Sequence, residues 1–328
     1  MRSNLSRLAL LTVAGVVAAC TSSTSISSGS QAASAAPATA PGATATAVPP
    51  TPMATSLAGT AAIAIPLPGD TFPIDVTYAL GSLWLAAHHQ DEVYRIDPST
   101  MEITARIQVG GGPGWFAVTE GAIWVSNQLG RGMTRIDPDT NMEVTRVGMW
   151  PTCGSPVVAL GKIWQMACDA HQLMRIDPVA NTVTDFTVTD WQWPAFVDGE
   201  IVMAGETGLG RVDPETGKVT SIPGPGGFLT GYDEDTMWLS DQATVRRVRP
   251  SDGTVVATIP VTYGGMVRPF GDHAWMIQES TAAMRVDLAT SEITKTIPIL
   301  YGPVVGIEAA GYLWVTTIDG NRLWRIDL

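Results

Sequence analysis

One phrase recurs seven times between residues 80 and 328. Each copy has a bulky residue, tryptophan in six of the seven, and nine to eleven residues later an arginine that opens Arg-aliphatic-Asp-Pro or a close variant. The bulky residues are Trp84, Trp124, Trp164, Val202, Trp238, Trp275 and Trp314. A period of 36 to 40 residues made of short β segments predicts a propeller, because one four-stranded sheet cannot bury both its faces and a ring of sheets can. We therefore predict an all-β fold, a seven-bladed β-propeller with four-stranded antiparallel blades, over residues 61–328.

Each repeat is predicted to form four strands joined by recognisable hairpins. In the second repeat Gly121 turns the first hairpin, and Asp137-Pro138 with Asn141 turns the third. Proline presets the turn, the aspartate side chain caps it, and asparagine accepts positive φ at its end. The bulky residue is expected to pack between blades. Arginine and aspartate of the Arg-x-Asp motif share a strand face, so we expect a ring of salt bridges between blades.

The seventh repeat has no outer strand after its motif at Arg325, and a segment near the N-terminus matches that strand in pattern. Residues 61–67, AAIAIPL, resemble residues 293–299, ITKTIPI, the predicted outer strand of the sixth repeat. We expect residues 61–67 to complete the seventh blade and close the ring. Closure removes the open sheet edges that would otherwise invite aggregation.

The first twenty residues have the pattern of a bacterial lipoprotein signal peptide. Arg2 and Arg7 flank the start of an apolar stretch of twelve residues, 8–19, which is too short for a spanning helix. The stretch ends in Val-Ala-Ala-Cys, a lipobox in which Cys20 is the residue that receives lipid; an ordinary secretory signal cut elsewhere is the alternative. Because two or more acyl chains anchor a protein stably, we expect a lipid-anchored protein on the extracytoplasmic side of a bacterial cell membrane.

Residues 21–60 separate this signal from the repeats. They contain no charged residue and consist almost entirely of Ser, Thr, Ala, Pro and Gly. Such a segment cannot bury enough apolar surface to offset its ordering entropy, so we predict a disordered tether. A coil of this length spans roughly 30–40 Å, which holds a domain clear of the membrane.

Nearly all charged residues lie in the part of the chain that contains the repeats. All 31 acidic residues and 17 of the 19 basic residues, all except Arg2 and Arg7, lie at or after Asp70, which gives this part a net charge of −14. That charge disfavours nucleic acid and anionic lipid as partners. We expect a monomer that reaches the membrane only through its lipid anchor.

The repeat resembles a known group of propellers. Residues 81–109, GSLWLAAHHQDEVYRIDPSTMEITARIQV, are similar to YVTN-type repeats and to the streptogramin (virginiamycin B) lyase-like proteins, over about residues 61–328. For the lyases, the resemblance implies a catalytic histidine and carboxylates with a divalent metal on one face of the ring. Their strand has glutamate three residues after tryptophan, where this chain has Ala87, Asn127, Ala167, Asp241, Gln278 and Thr317. No catalytic residue is therefore assigned.

Aromatic residues are concentrated in the loops that enter the inner strands, on the face that rims the central tunnel. They are Phe72, Trp115, Trp150, Trp191, Trp193, Phe228, Tyr263 and Tyr301. Aromatic side chains around a concave polar rim are typical of sites that bind small molecules or sugars. Packing of the loops against neighbouring blades explains them equally well, and the sequence leaves both interpretations open.

Polar residues lie on the same face, four residues beyond the bulky position. Those predicted to contact a ligand are His88, Gln128, Glu206, Gln242 and Glu279. A metal site formed by His88 with Glu206 or Glu279 is a weaker alternative, because no short metal-binding motif supports it.

Two functions compete at this rim. We favour a non-catalytic scaffold, without a cofactor, whose acidic and aromatic rim binds a small molecule, a sugar or a protein. The alternative is a metal-assisted lyase or hydrolase resembling the streptogramin lyases, which would use a divalent metal such as Mg²⁺. The sequence contains no G-x-S-x-G, P-loop or dinucleotide motif.

Cys153 and Cys168 are the cysteines that remain beside Cys20. Export permits a disulfide, and an even count favours one. In the hairpin that turns at Gly161, residues whose numbers sum to about 321 are expected to be opposed, which places the two cysteines across from each other. We predict a disulfide at the rim, with two free thiols as the alternative.

Overall fold

Strands make up nearly all the regular structure that the chain contains between residues 51 and 328. The computed structural model describes residues 51–57, 59–241, 243–261, 264–278, 281–299 and 301–328. Within them the helical structure is one short 3-10 turn, His88–Gln90. No helix in these ranges has the length and apolar character needed to cross a membrane.

Seven sheets repeat one plan, in which an inner, a second, a third and an outer strand run antiparallel to one another. The inner strands are β3 (Pro73–Ala79), β7 (Pro113–Thr119), β11 (Cys153–Ala159), β15 (Pro194–Val197), β19 (Phe228–Tyr232), β23 (Gly264–Phe270) and β27 (Pro303–Ala309). The second strands are β4 (Ser82–Ala87), β8 (Ala122–Asn127), β12 (Lys162–Ala167), β16 (Glu200–Ala204), β20 (Met237–Ser240), β24 (His273–Gln278) and β28 (Tyr312–Thr317).

The third and outer strands complete each blade. The third strands are β5 (Glu92–Ile96), β9 (Met133–Asp137), β13 (Gln172–Asp177), β17 (Leu209–Val212), β21 (Thr244–Arg249), β25 (Ala282–Asp287) and β29 (Arg322–Asp327). The outer strands are β6 (Ile103–Gln108), β10 (Met142–Val147), β14 (Thr182–Thr187), β18 (Val219–Ile222), β22 (Thr254–Pro260), β26 (Ile293–Pro298) and β2 (Thr60–Pro66).

The blades form a closed ring. Each inner strand contacts the inner strand of the next blade, and β27 of blade seven contacts β3 of blade one. The outer strand of blade seven is β2, which pairs antiparallel with β29, for example Ala64 with Trp324. The seven-bladed propeller and its closure by the N-terminal strand are therefore confirmed.

One strand precedes the range expected for the propeller. β1 (Met53–Leu57) pairs with β2 and adds a fifth strand to the outside of blade seven. The regular structure thus begins before residue 61, within the segment 21–60 predicted as a tether. Residues 1–50, with the lipobox Cys20, lie outside the described residues, so the signal peptide and the rest of the tether stay predictions.

The repeated tryptophan is the centre of the packing between blades. Trp84 is fully buried and packs with Ile123 and Val125 of the next blade, as expected from the sequence. Its indole N–H donates to the carbonyl of Ala79, which satisfies the one polar atom of the buried ring.

The repeated arginine does not form the expected salt bridge with the motif aspartate. Arg95 lies over the Trp84 ring and donates to the carbonyl of Pro138 and the side chain of Asn141, both in the third hairpin of the next blade. Asp97 instead accepts the N–H groups of its own hairpin turn. In blade one the arginine therefore joins blades through hydrogen bonds to a carbonyl and an amide oxygen, and the aspartate caps its own turn because those N–H groups lie two and three residues away. Arg175 likewise donates to the Pro214 carbonyl of the next blade and lies 3.7 Å from Glu215 there, whereas Arg211 pairs with Glu200 of its own blade.

Candidate functional site

The inner strands bring four side chains, some predicted and some not, to one level of the tunnel. In each blade the bulky residue of the second strand pairs with one residue of the inner strand: Thr77 with Trp84, Ala117 with Trp124 and Ala195 with Val202. Two residues before these partners, the chain has Asp75, Trp115 and Trp193, which therefore lie at equivalent positions in their blades. An irregularity in β19 brings Phe228 to the same level, opposite Ser240. Because each inner strand starts at the rim, we call this level the tunnel mouth.

Trp193 and Phe228 form an aromatic pair at the tunnel mouth. Their ring centroids are 4.8 Å apart and nearly perpendicular. The Trp193 ring also covers Gly154 of blade three so closely that a Cβ there would overlap it. Phe228 keeps 47% of its surface exposed. One side of the mouth is therefore a fixed indole with an accessible phenyl ring beside it.

An ion pair crosses the tunnel. Nη2 of Arg268, on β23 of blade six, lies 3.5 Å from Oδ1 of Asp75 on β3 of blade one. The Arg268 guanidinium also lies over the Trp115 ring of blade two, 5.7 Å from its centroid. Blade seven stands between blades six and one along the ring, so these contacts pass through the tunnel itself.

Burial dominates the electrostatics of the Asp75 carboxylate. Burial raises its pKa above the ordinary value, while Arg268 and the N–H groups of Phe116 and Val76 act in the opposite direction. Those N–H groups lie 3.1 and 2.9 Å from the two carboxylate oxygens. Tyr232 of blade five is also near Arg268, and burial raises the pKa of its phenol. The mouth thus combines a held carboxylate, a guanidinium and aromatic faces.

Asp75 and Arg268 were not among the residues predicted from the sequence. Neither belongs to the repeated motif, and 193 residues separate them. The one available signal was their residue type, since charged residues are seldom buried unless they are paired.

Most of the other predicted aromatic residues are loop or packing residues. Trp191 packs onto blade four, where a Cβ on Gly210 would lie 2.7 Å from its ring, so its role is to fill the blade. Trp150 lies in the loop before β11, and its carbonyl accepts a hydrogen bond from Gly132. Tyr301 lies under the guanidinium of Arg322. Tyr263 lies outside the described residues.

Phe72 belongs to a separate aromatic group on blade one. Its ring stacks on His89 with centroids 4.4 Å apart and lies 5.9 Å from His88. The structure therefore gives Phe72 neighbours in its own blade.

The predicted polar residues that the structure describes, His88, Gln128 and Glu206, have separate surroundings. His88 is buried, and its Nδ1 lies 3.1 Å from the Pro113 carbonyl; burial lowers its pKa. Gln128 packs against β7 at Gly114, and Glu206 is exposed on blade four. Gln242 and Glu279 lie outside the described residues.

The described residues do not fit the divalent metal that the lyase resemblance implies. Nowhere in the ranges given above do three His, Cys, Asp or Glu side chains lie close enough to hold an ion. His88 and Glu206 are on blades one and four, and His88 already faces a backbone carbonyl. The side chains in these ranges therefore offer no ligand set for a metal-assisted step.

The predicted disulfide is present. Cys153 and Cys168 are bonded, with their Cα atoms 5.8 Å apart. The predicted register was wrong, because an irregularity between Cys153 and Val157 places Cys153 opposite Met166. The bond therefore joins the start of β11 diagonally to the loop after β12, next to the mouth.

Comparison with known proteins identifies the fold. No protein-family model matches the sequence, and no curated protein matches it. A streptogramin B lyase structure is 14% identical, with a TM-score of 0.69 over 81% of this chain and 97% of that one. Kuenenia stuttgartiensis hydrazine synthase is 14% identical, with a TM-score of 0.65 over 79% and 96%. BamB from Moraxella catarrhalis is 10% identical, with a TM-score of 0.57 over 85% and 100%. Such likenesses show the seven-bladed fold and leave the function open.

Proposed function

We propose that this protein is a non-catalytic binding scaffold that takes its ligand at the tunnel mouth. The ligand is a small molecule, a sugar or a segment of another protein, and binding uses the aromatic surfaces of Trp115, Trp193 and Phe228. The propeller acts as a monomer without a cofactor. Its net charge makes nucleic acid an unfavourable partner.

One observation supports this function above the others. Trp115, Trp193 and Phe228 come from three sequence repeats, yet the strand register places them at one level around the tunnel. Phe228 is nearly half exposed, although burial of its ring would be favourable. An accessible aromatic ring on a rigid scaffold, beside a second ring held by packing, is the arrangement that stacking ligands use.

A melting-shift screen of the purified protein against sugars, short peptides and lactones tests the proposal. We expect at least one class to raise the melting temperature. Phe228→Ala and Trp115→Leu should weaken that binding about tenfold, which corresponds to about 1.4 kcal/mol. Trp150→Leu is the matched control, because it removes an exposed rim tryptophan outside the tunnel-mouth level. Ligands that bind equally to all three variants, or no shift with any class, would contradict the proposal.

The anchor is the second part of the proposed function. We propose that lipidated Cys20 holds the propeller on the extracytoplasmic side of a bacterial membrane. Cys20→Ala should move the protein from the membrane fraction to the soluble fraction. Unchanged membrane association of this variant would refute the anchor.

The metal-assisted lyase or hydrolase remains the alternative that the sequence resemblance raises. Nothing in the described residues favours it, since His88 and Glu206 lie on separate blades. Soaking crystals of the protein with Mg²⁺ or Mn²⁺ tests it directly. An ion held by three protein ligands at the mouth would replace the scaffold proposal.

A further inference from the structure

Arg268 differs from the repeated arginines because it contacts residues across the tunnel, Asp75 and Trp115. The repeated arginines, such as Arg95, donate to the next blade at 2.7–2.9 Å. Arg268 makes one long contact, 3.5 Å to Asp75, and its other N–H groups have no hydrogen-bond partner among the described residues. Its side chain remains 27% exposed. The guanidinium is therefore held in place over Trp115 with most of its donors unused.

Resting on the proposed function, we infer that the ligand is a small molecule with a carboxylate group on an aromatic or apolar body. The carboxylate binds Arg268, and the body lies between the Trp115 ring and the Trp193–Phe228 pair.

The chemistry of the guanidinium selects this class. Its planar fork of N–H groups matches the two oxygens of a carboxylate, and a stacked aromatic ring behind it fixes its orientation. Asp75 shows that a carboxylate fits beside the guanidinium. A net charge of −14 on the folded part disfavours an anion at most other places, and Arg268 supplies a cation at the tunnel mouth that offsets it locally.

Asp75 then acts as an internal competitor for Arg268. Its carboxylate also accepts the N–H groups of Val76 and Phe116, so it keeps partners when a ligand takes the guanidinium. Burial raises the pKa of Asp75, which lowers the cost of protonating it when a second carboxylate arrives. Removal of the Asp75 charge should therefore strengthen binding of an anionic ligand.

Calorimetric titration of the full chain with phenylacetate tests the inference. Phenylacetamide, a neutral molecule of the same shape, is the ligand control, and inorganic phosphate distinguishes a carboxylate site from a general anion site. We expect phenylacetate to bind at least tenfold more tightly than phenylacetamide. Asp75→Asn should increase its affinity at least threefold. Arg268→Met should reduce it at least tenfold, with a smaller loss in Arg268→Lys, which keeps the charge but not the fork.

Arg322→Met is the matched protein control, because Arg322 also lies over an aromatic ring, that of Tyr301, on the rim of blade seven. It should bind phenylacetate as the unmodified protein does, and all variants should retain their circular dichroism spectra. Equal affinity for phenylacetamide, no response to Asp75→Asn, or tighter binding of phosphate would overturn the carboxylate class. Absence of phenylacetate binding to both the unmodified protein and Asp75→Asn would do the same. The binding scaffold itself would still stand if neutral ligands from the screen depend on Phe228.

Discussion

The side chain of Asn321 holds the backbone of Thr71, 250 residues earlier in the chain. Its Oδ1 accepts the N–H groups of Thr71 and Phe72 at 3.0 and 3.2 Å, and its Nδ2 donates to the carbonyls of Leu67 and Gly69. One amide side chain thus fastens the segment between β2 and β3 to the last turn of blade seven. These four hydrogen bonds lie where the two ends of the propeller meet.

Loss of this amide should weaken ring closure. Asn321→Gly removes the four hydrogen bonds without adding strain, because glycine accepts the positive φ of 48° at this position. At about 0.5–1.5 kcal/mol for each hydrogen bond, we expect a loss of about 2–4 kcal/mol and a fall of roughly 5–10 °C in the melting temperature. His171→Gly is the control, since His171 has φ of 52° in the equivalent loop of blade three and is exposed. A similar loss of stability in both variants would mean that the four hydrogen bonds of the Asn321 side chain are not the cause.

Arg95 is expected to contribute more to folding stability than a solvent-exposed arginine does. Its guanidinium binds the Ser82 hydroxyl, the Pro138 carbonyl and the Asn141 side chain. Arg95→Met keeps the stem over Trp84 but removes these bonds, and we expect a loss of about 2–3 kcal/mol in urea unfolding.

Blade four supplies the control for the arginine prediction. There Val202 replaces the tryptophan, and Arg211 pairs with Glu200 of its own blade while both side chains are 43% exposed. Arg211→Met should therefore cost less than about 1 kcal/mol. If the two arginine variants lose equal stability, hydrogen bonding between blades is not what the motif contributes.

The repeat spacing was sufficient to predict the blades, because turns and buried strands obey local rules. Gly121 and Asn141 have the positive φ that their hairpin turns require. The partner of the motif aspartate was predicted wrongly, because the period-two rule gives the face of a strand but not the competition from nearby turn N–H groups. For predicting the hydrogen-bond partner of a side chain, the strand face it lies on is therefore less informative than the turn residues next to it.

The tunnel pair could not be predicted for a geometric reason. Asp75 and Arg268 meet only after seven blades have closed, and their contact depends on the reach of one arginine across the centre. Trp193 and Phe228 were predicted as rim aromatics, but their pairing depends on an irregularity in β19 that the sequence does not reveal. By contrast, Trp191 carries the same signal and fills blade four at Gly210. Residue type therefore identified the aromatic residues of the rim, but it did not distinguish those that fill a blade from those that are accessible to a ligand.

The disulfide should stabilise the rim of blade three. A closed loop of about 15 residues is worth about 3 kcal/mol in the chain-entropy model, and less here because the hairpin forms without it. We expect Cys153→Ala with Cys168→Ala to lose about 1–3 kcal/mol, and reductant to have no further effect on this double variant. Peptide mapping after alkylation in denaturant without reductant gives the redox state. Alkylation of both cysteines in the unreduced protein would show that the bond is absent.

The aspartates that cap the hairpin turns should make folding stability fall in acid, and Asp177 has the largest effect on which to test this. The Ala180 N–H, the Lys162 ammonium and the Val179 N–H lower the pKa of Asp177 to about 2, below its ordinary value of 3.8. Because the pKa is lower in the folded state, this contribution is fully present above pH 3.8 and is lost as the pH falls towards 2. The stability difference between the unmodified protein and Asp177→Asn should therefore be largest at pH 5 and shrink steadily between pH 4 and pH 2. Urea unfolding at these pH values measures it, with Asp185→Asn on the neighbouring strand β14 as the control for the same change in net charge. A difference that stays constant from pH 5 to pH 2 would show that the Asp177 carboxylate does not stabilise its turn.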